Sequence, residues 1–105
     1  MKAVKVLQLS NGKIPYRDWY ERLDKGARRK ISGYIERVAL GGSTKNVRAL
    51  GNGVFEIKID YGPGYRVYFA EEKKMLMLIL LGGDKSTQFC DIQQAKKYWR
   101  EYASK

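Results

Sequence analysis

Hydrophobic residues in the first forty positions follow the period of a helix. After a short β-prone run from Val4 to Leu9, apolar side chains recur at intervals of three and four residues. The first stripe consists of Tyr16, Trp19, Tyr20 and Leu23, and the second of Ala27, Ile31, Tyr34, Ile35 and Val38. Pro15 suits a first helical turn, and Asp24 can cap the second helix, which ends at Gly41-Gly42. The spacing predicts one strand followed by a helical hairpin, its first helix over about residues 15–23.

The period changes from 3.6 to 2 after residue 46. Between Val54 and Asp60, odd-numbered positions from 55 to 59 are apolar and even-numbered positions from 56 to 60 are charged, as in a half-buried strand. The strands predicted by this pattern are Val47–Leu50, Val54–Asp60, Tyr65–Ala70 and Met75–Leu81. The last is uniformly apolar, which is typical of a central strand covered on both faces. We expect Gly82-Gly83 to end it.

The C-terminal segment returns to helical spacing. Its apolar residues are Phe89, Ile92, Ala95, Trp99 and Tyr102. The predicted order is β, α, α, β, β, β, β, α, which indicates an α+β fold. We expect a small twisted antiparallel sheet packed against the N-terminal helical hairpin and the C-terminal helix, with residues 1–105 forming a single domain.

Composition removes several classes of protein. The chain has one cysteine, Cys90, and no histidine among 105 residues, which excludes the usual zinc and haem sites and every mechanism that needs imidazole. Cys90 is expected to be a buried structural thiol. The longest apolar stretch is far shorter than a membrane span, and the N-terminus opens no long apolar segment, so a cytoplasmic location is expected.

Charge indicates the class of partner. Twenty-one Lys and Arg against eleven Asp and Glu give a net charge of +10. Such an excess on a small protein produces a strong positive field and favours an anionic partner, with nucleic acid ahead of a membrane because the basic residues are not gathered on one amphipathic helix. A solvated basic surface without a specific partner is the alternative.

Candidate chemistry lies on the strand at residues 54–60. If its apolar face packs on the helices, Glu56, Lys58 and Asp60 stand on an uncovered face about 6 to 7 Å apart. A matching hairpin register would bring Arg66 and Tyr68 to the same face. These charges could equally be cross-strand ion pairs without a function.

RNA cleavage suits these residues because RNA carries its own nucleophile, the 2′-hydroxyl. Glu56 or Lys58 could take its proton, and the planar guanidinium of Arg66 could hold two phosphate oxygens. Lys85, in the loop after the central strand, could be a second phosphate contact or the proton donor. Tyr65 and Tyr68 could stack on a base, although one of the two should belong to the core.

Three segments carry a resemblance to a known family. They are Gly51–Ile59, Gly62–Phe69 with the motif Gly-Pro-Gly-Tyr-Arg, and Leu80–Gln88 followed by Asp91-Ile92 and Ala95. The chain resembles the phage-derived, RelE/HigB-type addiction module killer proteins, and the similarity extends back through Trp19 and the basic second helix. Within this resemblance Arg66 matches an arginine used on the scissile phosphate, and Lys58 matches a strand lysine. Glu56 and Lys85 stand at positions where relatives vary.

The resemblance implies a RelE-like fold and a toxin of a type II toxin–antitoxin pair. It further implies ribosome-dependent, metal-independent mRNA cleavage without a cofactor, with ribosome-bound mRNA as substrate and a helix-turn-helix antitoxin as partner. Since the chain lacks histidine, the general acid stays open. The alternatives are a protein of the same fold that inhibits DNA gyrase by binding, and a non-catalytic RNA-binding module. Basic residues expected to grip ribosomal RNA are Arg28, Arg29, Lys96, Lys97 and Arg100.

Overall fold

A computed structural model describes residues 2–105 as one five-stranded sheet with three α-helices. The elements are β1 (Ala3–Val6), α1 (Pro15–Glu21), α2 (Lys25–Ala39), β2 (Val47–Gly51), β3 (Val54–Ile59), β4 (Tyr65–Glu72), β5 (Leu76–Asp84) and α3 (Gln88–Ala103), with a 3₁₀ turn at Lys85–Thr87 before α3. The predicted order of elements is confirmed, and so is the α+β class. Among residues 2–105, no helix combines the length and the apolar character needed to cross a membrane.

The sheet has the strand order β1-β5-β4-β3-β2. The four strands β2 to β5 pair antiparallel, as the hairpin pattern predicts. β1 instead runs parallel to β5, which makes the sheet mixed. A parallel neighbour requires a crossover connection, and the helical hairpin together with the three strands that follow it separates β1 from β5 in the chain.

Helices cover both faces of the sheet. On one face α1 and α2 pack through Tyr16, Ile31 and Ile35 against the odd-numbered residues of β3. On the other face α3 packs through Ala95 against Tyr68 and a second set of strand residues. Our expectation of one uncovered face is therefore corrected. The central strand β5 is buried on both sides, as its uniform apolar sequence predicts.

The strand β5 continues through Gly82-Gly83 to Asp84, so our prediction that this pair ends the strand was wrong. A Cβ on Gly82 would lie 2.2 Å from the ring of Trp19 on α1. A Cβ on Gly83 would lie 1.9 Å from the Asp91 carboxylate of α3. The two glycines thus let a helix approach each face of the strand closely, which is a second use of glycine besides turns.

Two local predictions have opposite outcomes. The Asp24 carboxylate accepts a hydrogen bond of 2.8 Å from the backbone N–H of Ala27, which confirms the predicted cap of α2. Cys90, expected to be a buried thiol, is exposed near the start of α3. The helical stripe that packs on the sheet runs through Ile92, Ala95 and Trp99, so residue 90 falls on its outer side.

Candidate active site

Strand register brings the predicted residues of β3 and β4 together. Glu56 pairs with Tyr68 and Lys58 pairs with Arg66. Residues directly opposite each other in a sheet point to the same face. The four side chains therefore share the sheet face on which α3 packs. Lys58 and Arg66 lie on the part of that face that α3 does not cover.

Glu56 is the buried centre of this group, with only 2% of its surface exposed. Its Oε1 lies 3.2 Å from a guanidinium nitrogen of Arg48 and 3.4 Å from Nη1 of Arg66. Its Oε2 accepts a hydrogen bond of 2.8 Å from the amide of Gln88, at the start of α3. A buried carboxylate is tolerable when it is paired in this way, and each partner is held in place in return.

Arg66 is largely buried, with 11% of its side chain exposed. Nη1 contacts Glu56, whereas Nε is buried and has no hydrogen-bond partner within residues 2–105. Because Nε is closed to solvent, an added anion can contact Arg66 only through the small exposed part of its side chain.

Tyr68 lies beneath this ion cluster and has no exposed surface. Its hydroxyl group has no hydrogen bond of normal geometry to any described residue. Burial, followed by the nearby negative charge of Glu56, raises the pKa of the Tyr68 hydroxyl well above its usual value. Our expectation that Tyr68 stacks on an RNA base is corrected, because neither ring face is accessible.

Tyr65 lies on the opposite face of the sheet and packs against the core beneath α1. Its ring meets Trp19 edge to face, with centroids 6.0 Å apart. Both tyrosines therefore contribute to packing, one on each side of the sheet. We expected one of the two to belong to the core, and Tyr68 is that residue, while Tyr65 is partly buried.

The charged side chains line an open groove of about 400 Å³ between β2 and β4. Its lining consists of Lys45, Asn46, Val47, Arg48, Glu56, Lys58, Asp60 and Arg66. Four cations thus face two carboxylates, and Lys58 and Asp60 are exposed at a separation of 3.8 Å. The groove is net positive and suits a phosphate group.

Sequence reasoning missed Lys45, Arg48 and Gln88. Arg48 pairs in register with Glu56 across β2 and β3, and the Gly51-Asn52-Gly53 turn between the strands was the one available signal. Gln88 lies 32 residues from Glu56 in the chain, and no local pattern indicates their contact.

Lys85 does not line the groove. It is exposed in the 3₁₀ turn, where the Asp84 carboxylate caps the turn by accepting from the Ser86 backbone N–H at 2.8 Å. The hydrogen bonds from Ser86 lower the pKa of Asp84. One turn later, burial raises the pKa of Asp91, although a hydrogen bond from Thr87 opposes this shift.

The other predicted basic residues lie apart from the groove. Arg28 and Arg29 are on α2, on the opposite face of the sheet. Lys96 and Arg100 line a separate cavity near the C-terminus of α3, whereas Lys97 is exposed and does not line it. Within residues 2–105, no three His, Cys, Asp or Glu side chains form a group suited to a metal ion.

The family described as "Phage derived protein Gp49-like" matches residues 18–101. The chain belongs to this family. Gp49-like proteins are a toxin-like family of toxin–antitoxin systems, which implies an antitoxin as partner. The matched segment contains the whole groove and most of α3, and the mixed sheet with its three helices is consistent with a RelE-like fold.

An uncharacterized protein of Haemophilus influenzae is similar to this Gp49-like chain. The two are 39% identical over 84 residues, which cover 79% of this chain and 84% of the relative. Likeness over most of both chains supports membership of the Gp49-like family. The similarity does not name a substrate.

Proposed function

We propose that residues 1–105 form one RelE-like toxin domain of a type II toxin–antitoxin module that cleaves mRNA on the ribosome. The observation that carries this proposal is the Arg66 guanidinium, which the buried carboxylate of Glu56 holds beside a cationic groove. Groups fixed before the reaction stabilise the charge of a transition state better than mobile ones, because they need no reorganisation. Membership of a toxin-like family supports the same reading.

In the proposed reaction, RNA supplies the nucleophile. The 2′-oxygen loses its proton and bonds to phosphorus, and the bond from phosphorus to the 5′-oxygen breaks. The 5′-oxygen takes a proton from solvent, so a 2′,3′-cyclic phosphate and a 5′-hydroxyl remain. Arg66 contacts the phosphate through the part of its guanidinium that borders the groove, and Arg48 adds a second guanidinium from the groove wall. Neither step requires a metal ion or histidine in this scheme.

Lys58 is the proposed base for the 2′-hydroxyl proton. It is exposed on the groove wall and lies directly opposite Arg66 in the sheet register. An exposed amine at this position can reach the 2′-hydroxyl of a bound RNA. The neutral form of the lysine is the one that accepts the proton.

Glu56 acts in this scheme as a positioning residue. The sequence left it as an alternative base, but both its oxygens contact protein groups and 2% of the residue is exposed. A carboxylate that cannot reach the 2′-hydroxyl serves catalysis through Arg48 and Arg66. Lys85, in the neighbouring 3₁₀ turn outside the groove, is a proposed second phosphate contact.

The proposed partners are the ribosome with bound mRNA and a cognate antitoxin of helix-turn-helix type. The positive field of the chain suits ribosomal RNA, and Arg28, Arg29 and Lys97 are exposed or half-exposed cations that could add to it. An adjacent small gene is expected to encode the antitoxin. Its product should restore growth and co-elute with this chain on a sizing column; a neighbour that does neither would contradict the toxin–antitoxin assignment.

Inducible expression followed by primer extension on cellular mRNA tests the function. We expect growth arrest and breaks in translated mRNA that keep the phase of the reading frame. Arg66→Lys keeps the charge and loses bidentate geometry, so it should be clearly impaired and serves as the matched control. Intact mRNA together with an induced DNA-damage response would overturn the proposal in favour of gyrase inhibition.

A further inference from the structure

Trp99 stands between two cavities at the end of the sheet remote from Arg66. One cavity, of about 340 Å³, is lined by Asn52, Lys96, Trp99, Arg100, Ala103 and Ser104. The other, of about 470 Å³, is lined by Lys2, Gly53, Phe55, Glu71, Lys73, Lys74 and Trp99. The Trp99 indole borders both cavities and is only partly buried against the core.

Cations surround this indole with little opposing charge. No carboxylate lines the first cavity, and the Glu71 carboxylate in the second already pairs with Lys2 at 3.2 Å. Lys96 and Arg100 form no ion pair with any residue from 2 to 105. An aromatic ring beside unpaired cations is the chemistry that binds single-stranded nucleic acid, since bases stack and phosphates pair with the cations.

The backbone near Trp99 is arranged to leave room for the indole. A Cβ at Gly53 would lie 2.9 Å from the indole Nε1, and Gly53 has φ +81, which favours glycine. On its own helix Trp99 stacks with Tyr102, with ring centroids 5.8 Å apart and planes at 21°. The indole is thus held in a defined orientation, which lowers the entropy lost when a base stacks on it.

The β2 strand connects this region to the groove. Arg48 of the groove and Asn52 of the first cavity are four residues apart, about 13 Å along an extended chain. The amine of Lys96 lies 4.0 Å from the position of a Cβ on Gly51, so this side chain reaches the end of β2. One RNA segment of a few nucleotides can therefore contact both regions.

We propose that Trp99, Lys96 and Arg100 form a second RNA subsite, which stacks a base of the same strand whose scissile phosphate lies beside Arg66. This inference rests on the proposed function for the identity of the strand in the groove. The proposal assigns RNA contacts in this subsite to Lys96 and Arg100 but not to Lys97, which does not line the cavity. The ligand is single-stranded RNA, and the subsite adds affinity without taking part in bond cleavage.

The first test uses a 2′-O-methyl decanucleotide, which cannot be cleaved, and fluorescence anisotropy over a series of salt concentrations. Lys96→Ala/Arg100→Ala should weaken binding and lower the slope of log K against log salt by about 1.4, since each lost contact to a single strand contributes about 0.7. Lys13→Ala/Lys30→Ala has the same net charge and removes two exposed lysines that line neither cavity, so its slope should stay close to that of the wild type. Equal slopes for the two double variants would overturn the subsite.

The second test concerns stacking. Trp99→Leu should weaken binding of the decanucleotide on the order of tenfold, while Trp99→Phe keeps an aromatic ring and should retain most of the affinity. Circular dichroism of each variant checks the fold. Equal affinity of the Leu and Phe variants would contradict a stacking role for the indole.

Cleavage of ribosome-bound mRNA by the wild type separates the two proposals. If the wild type cleaves mRNA on ribosomes but substitutions at Lys96, Trp99 and Arg100 do not change decanucleotide binding, the subsite is rejected and the proposed function stands. Binding that depends on these residues, without any cleavage on ribosomes, would support the subsite as an RNA-binding surface and reject the proposed function.

Discussion

The two cationic regions of this molecule differ in how their charges are held. At the groove, Arg48 and Arg66 both contact the buried carboxylate of Glu56. Beside Trp99, Lys96 and Arg100 project from α3 without a carboxylate partner among the described residues. A guanidinium held by a carboxylate favours stabilisation of a transition state, whereas cations without such a partner favour binding of a polyanion in its ground state. Basic residues of the same type can therefore serve either the chemical step or the binding of RNA, depending on whether a carboxylate holds them.

The largest expected effect is the loss of Arg66. Arg66→Ala should reduce the rate of mRNA cleavage on saturated ribosomes by on the order of 10² or more, because it removes charge stabilisation in the transition state. Single-turnover cleavage measures this rate. Because Arg66 is largely buried against Glu56, the variant also loses stability, contrary to the open site that the sequence led us to expect.

Arg66→Lys distinguishes these two consequences. It keeps a positive charge near Glu56, so its melting temperature should stay nearer to that of the wild type while its cleavage rate falls. Full cleavage by this variant would remove the bidentate contact from the mechanism.

Removal of the Glu56 charge tests the anchored region directly. Glu56→Gln leaves two guanidinium groups without their carboxylate, and we expect a loss of about 3 kcal/mol in the free energy of unfolding. Urea denaturation measures this value. The pH profile of cleavage should keep its shape at a lower rate if Glu56 positions Arg66; a lost ionisation on the acidic limb would instead identify Glu56 as the base.

Arg48 offers an intermediate case, since 60% of its side chain is exposed. Arg48→Ala should cost less than about 1 kcal/mol of stability, because an exposed ion pair contributes little. Cleavage on saturated ribosomes should still fall by about tenfold, as a second phosphate contact is lost. An unchanged cleavage rate would leave Arg48 as a structural partner of Glu56 alone.

The smallest effect is expected at Tyr68. Its buried hydroxyl has no partner among residues 2–105, so Tyr68→Phe should change the unfolding free energy by less than about 1 kcal/mol at neutral pH. The unfolded chain ionises its tyrosines near pH 10 while the raised pKa keeps Tyr68 neutral in the folded chain. Stability is therefore present below pH 10 and is lost above it, and Tyr68→Phe should reduce that loss in alkaline unfolding curves. An unchanged alkaline limb would contradict the burial of this hydroxyl.

The fold was predictable wherever one period dominated a segment. Phe55 and Ile57 alternate with charged residues, and the stripe of α2 begins directly after the Asp24 cap, so β3 and α2 were placed correctly. The prediction failed at Gly82-Gly83, because a glycine that ends a strand and a glycine that admits a neighbouring ring look alike in sequence. The positions of Trp19 and Asp91 distinguish the two cases.

The candidate site was predictable only within one hairpin. The short turn between β3 and β4 makes the pairing of Lys58 with Arg66 a local matter, and the resemblance drew attention to both residues. Gln88 and Arg48 reach Glu56 from other elements, and their contribution depends on how α3 and β2 are placed. Glu56 is buried because residues from several elements cover it together, and no single segment of the sequence encodes that arrangement.

The sequence by itself determined the elements, the excess of positive charge and the absence of imidazole chemistry, because these follow from residue identity and spacing along the chain. Tertiary structure decided that Glu56 is an anchor, that Tyr68 is core, and that Lys96 rather than Lys97 borders Trp99. Those outcomes depend on distances of a few ångströms between segments far apart in the chain. Desolvation and ion pairing act through such distances, so they appear only once the sheet and α3 are packed together.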